Sequence, residues 1–116
     1  MVLKRYYAHL DGDDPHAGLA VATPDVQFYL ATPARTIEGH GADDLAAYID
    51  GRDTTGKDRV HHVVASAAVD DLEFHYGVVL EAGKPTGALL SAVHTTPDGR
   101  FDRYLTLFQT GVTLLD

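Results

Sequence analysis

The sequence predicts a single α+β domain, spanning residues 1–116, in which three helical segments cover one face of an antiparallel sheet. The main observation is the C-terminal half, from Arg59 to about Val112, where four strand patterns follow one another with short turns between them. Short turns between successive strands require antiparallel pairing. The second observation is the N-terminal half, where apolar residues recur at helical spacing. A chain of 116 residues is long enough to bury one such core.

Three segments before the sheet carry helix signals. Leu3–Leu10 places apolar residues at three- and four-residue spacing on one face, and Gly12 suits the end of that helix. Asp14–Ala22 is predicted as a second, short helix, because its Asp suits the cap and Pro15 suits the first helical position. Ala42–Asp50 is predicted as the third helix, with acidic residues in its first turn that interact favourably with the helix dipole.

Strand signals fill most of the remaining chain. Val26–Ala31 combines β-branched and aromatic residues, and Arg35–Glu38 is long enough for a short return strand. Gly39–Gly41 is predicted to break this pattern before the third helix, and the polar stretch Gly51–Asp58 is predicted to be a loop. The last four strands are predicted at Arg59–Val69, Leu72–Glu81, Thr86–Thr96 and from Phe101 to about Thr113.

The composition narrows the classes of function and partner. The formal net charge is −8, and an acidic surface repels phosphate backbones, so nucleic acid is not an expected partner. The chain has no cysteine, which excludes disulfides, a thiol nucleophile and a thiolate metal site. No apolar run approaches the ~20 residues of a membrane span, and Met1–Arg5 lacks the apolar core of a signal peptide. We therefore expect a cytoplasmic protein that does not bind membranes.

Three of the last four strands are apolar on both faces. The helices can cover only one face of the sheet, so the other face needs a partner, and a second copy of the chain suits this role. We predict a homodimer through the outer sheet face. The residues predicted to form that face are Val63, Ala65, Leu90, Ala92, Leu105 and Leu107.

The order of elements and several short stretches carry a resemblance to a known superfamily. These stretches are Arg5–Tyr7 with the acidic break Leu10–Asp14, the strand start Pro24–Phe28, the helix link Thr36–His40 and the hairpin Asp98–Phe101. The chain resembles the nuclear transport factor 2-like superfamily, including the SnoaL-like polyketide cyclases and the ketosteroid isomerases. The resemblance covers nearly the whole chain. It implies a cone-shaped, curved sheet around the helices, with a wide mouth that opens into a mostly apolar pocket.

Two mechanisms found in this superfamily do not fit the sequence. The pocket tyrosine of the ketosteroid isomerases falls on Tyr6, but their base falls on or near Leu30 and their second acid falls on Ser91. Their mechanism requires a carboxylate base, so it is disfavoured. Epoxide-hydrolase-like members use an Asp-Arg-Asp arrangement. Here Asp102 and Arg103 are adjacent in one strand, so only one of them can enter the pocket.

The SnoaL-like cyclases use an aspartate and a histidine as an acid–base pair, and the resemblance suggests which side chains face the pocket here. The apolar frame of the second strand of the sheet points Phe74 inward and His75 outward. The family pattern points His62 inward and His94 outward. In the last strand it points Asp102 inward.

These placements lead to a predicted function. We predict an acid–base isomerase, cyclase or hydrolase without metal or cofactor, acting on a small hydrophobic substrate. His62 and Asp102 are the predicted catalytic pair, because a histidine and a carboxylate in one apolar cleft can exchange a proton. The predicted substrate-binding residues are Tyr6, Phe28, Tyr29, Phe74, Tyr76, Ser91 and Tyr104.

Structural roles for the same residues are open alternatives. Tyr6 suits a helix-face core position, His62 suits a hydrogen-bonded core or interface position, and Asp102 suits a solvated strand end. His61 and its neighbour face opposite ways on a strand, so they do not form a metal pair and no metal site is predicted. The alternative to an enzyme is a non-catalytic ligand-binding or dimerisation module of the same fold.

Overall fold

The structure is a computed structural model that describes residues 1–52 and 59–114. Two helices, one 3-10 helix and six strands make up the described parts. In chain order they are α1 (Val2–Leu10), the 3-10 helix (Pro15–Val21), β1 (Ala22–Ala31), β2 (Thr36–His40), α2 (Ala42–Asp50), β3 (Arg59–Val69), β4 (Leu72–Glu81), β5 (Lys84–Thr95) and β6 (Phe101–Thr110). No helix in these parts is both long and apolar enough to cross a membrane.

The predicted helices and strands are confirmed, with shifts at some ends. The second helix has 3-10 geometry, and β1 begins at Ala22 rather than Val26. The predicted break at Gly39 is wrong, because β2 continues through His40 and Gly39 pairs with Phe28. A Cβ atom at Gly39 would lie 2.2 Å from the Phe28 ring, so the glycine allows close approach there. Most of the predicted loop Gly51–Asp58 lies outside the described residues.

The strands form one six-stranded sheet in the order β2-β1-β6-β5-β4-β3. The last four strands pair antiparallel in sequence, as predicted. β1 pairs with β6 in parallel, which makes the sheet mixed, and the sequence did not indicate this pairing. Bulges interrupt the ladders in β3 and at the start of β6. Because a bulge bends its strand, these positions help the open sheet to curve around the helices. The predicted α+β class is confirmed.

The core lies between the helices and the inner face of the sheet, which we define as the face toward α1. One side of α1 is fully covered, and Leu3 and Tyr6 are both 0% exposed. The rings of Tyr6 and Phe101 meet edge to face, with centroids 5.3 Å apart. α2 adds Leu45, which is also 0% exposed. Burial of a leucine side chain such as Leu3 or Leu45 contributes about 1.5–3 kcal/mol.

The orientation predicted for β4 is wrong. Glu73 and His75 are buried on the inner face, whereas Phe74 is 41% exposed on the outer face. His75 Nε2 lies 3.0 Å from Glu73 Oε1, and His75 Nδ1 lies 2.8 Å from Ser66 Oγ. The backbone N–H of Val2 donates to Glu73 Oε2 at 3.2 Å. Because these polar groups satisfy one another, the polar side of the strand can face inward.

The orientation predicted for β3 is wrong for a related reason. His61 pairs with Val79 and His62 pairs with Val78, and residues directly opposite each other share a face. The reversal in β4 therefore places His61 inward and His62 on the outer face, where it is exposed. Val63, predicted on the dimer face, instead packs against the core.

A bulge at the start of β6 determines where Asp102 points. Thr95 pairs with Phe101 and His94 pairs with Arg103, so Asp102 has no partner in the ladder. The extra residue lets Phe101 and Tyr104 both point inward, at 0% and 5% exposed. The Asp102 side chain lies on the outer face beside His94, so its predicted inward placement is wrong.

Candidate active site

A cavity of about 280 Å³ lies between α1, α2 and the inner face of the sheet. Its apolar wall comes from Leu10, Leu30, Ile37, Val79, Leu89 and Phe108. Its polar and charged wall comes from Tyr7, Thr32, Arg35, Tyr48, Arg52, Arg59, His61, Tyr104 and Thr106. An apolar pocket with a few convergent polar groups is the usual form of a small-molecule site.

Four hydroxyl groups form a connected cluster beside this cavity, and three of them belong to residues that line it, Tyr7, Tyr104 and Thr106. Tyr7 Oη lies 2.9 Å from Ser91 Oγ and 2.8 Å from Tyr104 Oη. Ser91 Oγ lies 2.6 Å from Thr106 Oγ1. Each hydroxyl has one hydrogen to donate, so three bonds among four hydroxyls leave one O–H for another acceptor.

Burial keeps the two tyrosines of the cluster protonated. It raises the pKa of Tyr7, and hydrogen bonds from Ser91 and Tyr104 only partly oppose this shift. It also raises the pKa of Tyr104 well above the ordinary value. Both phenols therefore keep their hydrogens at neutral pH, and the one O–H that the cluster does not use internally suits an oxygen atom that gains negative charge.

A histidine–aspartate dyad lies on the other side of Tyr7. The His61 and Tyr7 rings are stacked, with centroids 4.6 Å apart. His61 Nδ1 lies 2.8 Å from Asp11 Oδ1, and the His61 backbone N–H donates to Asp11 Oδ2 at 2.7 Å. A carboxylate only accepts hydrogen bonds, so Nδ1 carries the hydrogen and Nε2 of the neutral ring has the lone pair. Within the described residues, Nε2 has no hydrogen-bond partner.

Arg52 lies beside the aspartate of this dyad. Its guanidinium donates to the backbone carbonyl of Leu10 at 3.2 Å and lies 3.9 Å from Asp11 Oδ1. The Arg52 and Asp11 side chains are only 8% and 10% exposed. Asp11 directly follows α1, so the end of one helix places this carboxylate between a histidine and an arginine. The arrangement fixes the orientation of the imidazole, as the aspartate does in a catalytic triad.

Comparison with known proteins relates the chain to solved structures of one fold. No protein-family model and no curated protein matches the chain. A candidate isomerase of the SnoaL-like family from Agrobacterium tumefaciens is 13% identical, with a TM-score of 0.75 over 92% of this chain and 93% of that one. A candidate polyketide cyclase from Sinorhizobium meliloti is 16% identical, with a TM-score of 0.68 over 90% and 92%. A candidate ketosteroid isomerase from Kribbella flavida is 15% identical, with a TM-score of 0.68 over 99% and 80%.

The chain has the nuclear transport factor 2-like fold. The fold predicted from the resemblance is therefore confirmed. At these identities the likeness defines the fold and not the reaction, since one fold supports many chemistries. For a chain of this fold, the function has to be argued from the cavity residues themselves.

Some of the predicted pocket residues lie on the inner side of this nuclear transport factor 2-like sheet. Tyr104 lines the cavity, and Ser91 is buried and bonded to Tyr7. Phe28 is buried on the inner face and packs against the Tyr48 ring. Tyr6 is fully buried, and it is Tyr7 that lines the cavity. Both tyrosines belong to the apolar side of α1, so helical spacing alone could not separate them.

The other residues predicted to face the pocket lie on the outer face of the sheet, so their predicted inward placement is wrong. Tyr29 and Phe74 are 38% and 41% exposed. Tyr76 pairs with Leu90 on the outer face, and its hydroxyl accepts a hydrogen bond from the Leu114 backbone. His62 is exposed on β3, and three inter-strand spacings of about 4.8 Å separate β3 from the β6 strand that carries Asp102. The two do not share a cleft, and whether either acts in catalysis stays a prediction.

Asp102 belongs to a separate cluster on the outer face. His94 Nδ1 lies 2.5 Å from Asp102 Oδ1, and His94 Nε2 lies 2.7 Å from Asp71 Oδ2. The hydrogen bond to Asp102, and then the one to Asp71, raise the pKa of His94. The protonated ring can donate to both carboxylates at once, whereas the neutral ring can donate to only one.

The most important residues that sequence reasoning missed are Tyr7, Asp11 and His61. The sequence predicts Asp11 only as part of an acidic helix break, and alternation with an inward His62 predicts that His61 faces away from the pocket. A usable signal was the His61-His62 pair, since alternation places one of two neighbours inward. Among the residues that the structure describes, no three His, Asp or Glu side chains form a group that could hold a metal ion.

Proposed function

We propose that this protein is a general acid–base enzyme that moves a proton on a small hydrophobic carbonyl compound. The observation behind this proposal is that His61, whose Nε2 has no hydrogen-bond partner among the described residues, lines the same cavity as Tyr7, Tyr104 and Thr106 of the hydroxyl cluster. A base and an oxyanion donor in one largely apolar cavity are the two parts that proton abstraction beside a carbonyl requires. Solved neighbours described as candidate isomerases and cyclases are consistent with this class.

The proposed step uses each group in one role. His61 Nε2 takes a proton from the carbon next to the carbonyl, and Asp11 stabilises the imidazolium that forms. The carbonyl oxygen becomes an enolate oxygen and accepts a hydrogen bond from the hydroxyl cluster. The imidazolium then returns the proton to the same or another carbon, which completes an exchange or an isomerisation. A general base contributes about 10²- to 10⁴-fold to such a step.

The size of the cavity limits the substrate. Its volume of about 280 Å³ lies just below the range of pockets that enclose drug-sized ligands. We therefore propose a compound with one or two rings, or an aliphatic chain of similar bulk.

A deuterium-exchange experiment tests this function without knowledge of the natural substrate. 2-Tetralone, a two-ring ketone, is incubated with the protein in D₂O, and NMR follows the loss of its α-proton signals. The wild type is compared with His61→Gln, Asp11→Asn and the matched control His62→Gln, which changes the neighbouring side chain on the opposite face. We expect exchange above the buffer rate, a loss of about 100-fold or more in His61→Gln, and no change in His62→Gln.

The same experiment decides between the alternatives. Exchange that survives in His61→Gln but is lost in His62→Gln or Asp102→Asn would contradict the proposal and support the catalytic pair predicted from the sequence. Binding of 2-tetralone to the wild type without any exchange above the buffer rate would support a non-catalytic ligand-binding module.

We also propose a homodimer through the outer sheet face. Leu90, Leu105 and Leu107 are 58%, 44% and 46% exposed there. The ladder places Leu90 opposite Leu107 and Ala92 opposite Leu105, so these side chains form one continuous apolar patch with Phe74. A contiguous exposed apolar patch marks an interaction surface.

A further inference from the structure

The charge of the cavity is opposite to the charge of the chain. The chain has 17 acidic residues and 9 lysines and arginines, for a net charge of −8. Nevertheless Arg35, Arg52 and Arg59 all line this one cavity, and no described aspartate or glutamate does. Concentration of guanidinium groups in a concave site lowers the energy of a bound anion.

Carboxylates behind the cavity wall balance only part of this charge. Asp11 lies 3.9 Å from Arg52 and also bonds His61. Arg59 donates to Glu81 Oε1 from Nε at 3.2 Å and from Nη2 at 2.8 Å. Arg35 has no ion pair among residues 1–52 and 59–114. Within those described ranges, one of the three cavity guanidinium groups therefore has no carboxylate partner, even when His61 is neutral.

The arginines differ in depth, which indicates where an anionic group would sit. The Arg52 side chain is 8% exposed and the Arg59 side chain is 28% exposed. Arg35 is exposed, on the turn between β1 and β2. The backbone of that turn is fixed, because Thr32 N–H donates to Arg35 O at 2.9 Å and Arg35 N–H donates to Thr32 Oγ1 at 3.2 Å. Arg35 thus lies at the opening, on a defined turn, and it can contact a ligand without entering the core.

We propose that the substrate of this cavity is an anion, a small hydrophobic compound that carries a carboxylate. The carboxylate binds Arg35 at the opening, Arg59 completes the cationic rim, and the apolar frame extends toward His61. This inference rests on the proposed function because it names the substrate class of the same site. It adds charge recognition, which proton transfer from a neutral ketone does not require.

A pair of probes that differ only in charge tests the proposal. 2-Naphthoate and 2-naphthamide have the same ring system and nearly the same shape, and calorimetric titration gives the affinity of each. We expect the wild type to bind the carboxylate at least about tenfold more tightly than the amide, because ionic hydrogen bonds are the stronger ones. This preference should fall as salt is added, since Arg35 is exposed to solvent.

Arg35→Gln should remove most of the preference for the carboxylate and leave amide binding unchanged. The matched control is Arg103→Gln, which removes the same charge from an exposed position on β6 that faces the outer side of the sheet. Equal affinity for the two probes in the wild type, or an equal loss in Arg35→Gln and Arg103→Gln, would overturn the proposal. Circular dichroism of both variants checks that they fold.

The two proposals can fail separately. Binding of 2-naphthoate that depends on Arg35, together with 2-tetralone exchange that is indifferent to His61→Gln, would retain the anion site and reject the acid–base function. Exchange that depends on His61 without selective 2-naphthoate binding would retain the function and reject the anion site.

Discussion

Two adjacent tyrosines of α1 should respond in opposite ways to the same substitution. Tyr6 and Tyr7 are 0% and 3% exposed. Tyr7 Oη is bonded to Ser91 Oγ at 2.9 Å and to Tyr104 Oη at 2.8 Å. Tyr6 Oη is buried and has no hydrogen-bond partner in the described parts of the chain. Removal of one hydroxyl breaks a network, whereas removal of the other relieves an unsatisfied polar group.

The structure provides a magnitude for each change. Tyr7→Phe removes two hydrogen bonds of about 1 kcal/mol each and leaves Tyr104 Oη buried without the partner it has in the wild type. We expect the free energy of unfolding to fall by about 2 kcal/mol. Tyr6→Phe removes a hydroxyl that is desolvated and unpaired. We expect the free energy of unfolding to stay the same or to rise by about 1 kcal/mol.

Urea unfolding followed by circular dichroism at 222 nm measures both free energies, and 2-tetralone exchange measures activity on the same samples. Tyr7→Phe should also slow exchange by about 100-fold, because it removes the hydroxyl that joins Tyr104 to Ser91 in the cluster. Tyr6→Phe should retain the wild-type exchange rate. Equal losses of stability in the two variants, or a larger loss in Tyr6→Phe, would refute the assignment of Tyr7 to the cluster.

Three further predictions concern the sheet. Light scattering should give the mass of a dimer for the wild type and the 12.5 kDa of one chain for Leu90→Asp, because a charge buried at the outer face opposes association. A mass of 12.5 kDa for the wild type would contradict the dimer. Because the pKa of His94 is raised in the folded state, its contribution to stability is complete below pH ~6.5 and is lost as the pH rises through the folded-state pKa. In a plot of unfolding free energy against pH, the wild type should show this decline and His94→Gln should not. An unchanged plot in His94→Gln would show that the two carboxylates do not hold the ring. Gly39→Ala should lower the thermal midpoint by several degrees, because the new Cβ would lie 2.2 Å from the Phe28 ring, and an unchanged midpoint would argue against this close packing.

Strand positions were predictable because each depends on its own neighbourhood in the chain. The bounds predicted for α2, β3 and β4 agree with the structure at both ends. Turn residues and alternation determine such bounds locally. The parallel pairing of β1 with β6 was not predictable in this way, since the two strands are separated by most of the chain and no local pattern encodes their contact.

The direction in which each strand faces was harder to predict. Alternation separates the two sides of β4 but does not say which side meets the helices. The apolar pattern predicts that the side with Phe74 faces inward, yet Glu73 and His75 are the buried residues, and His75 bonds both Glu73 and Ser66. The same reversal in β4 places His61, and not His62, on the inner face of β3. The extra residue in the bulge at the start of β6 places Asp102 on the outer face.

Local patterns along the chain were enough to predict the fold class: helices first, a four-stranded meander last, an acidic chain without cysteine, and a resemblance to the nuclear transport factor 2-like fold. Packing between distant segments selects Tyr7 and His61 as the members of the Tyr6-Tyr7 and His61-His62 pairs that line the cavity, and it places Asp11 against His61. The physical reason is one of range. Periodicity acts over a few residues, whereas the face of a strand depends on register, bulges and hydrogen bonds between segments that are distant in the chain.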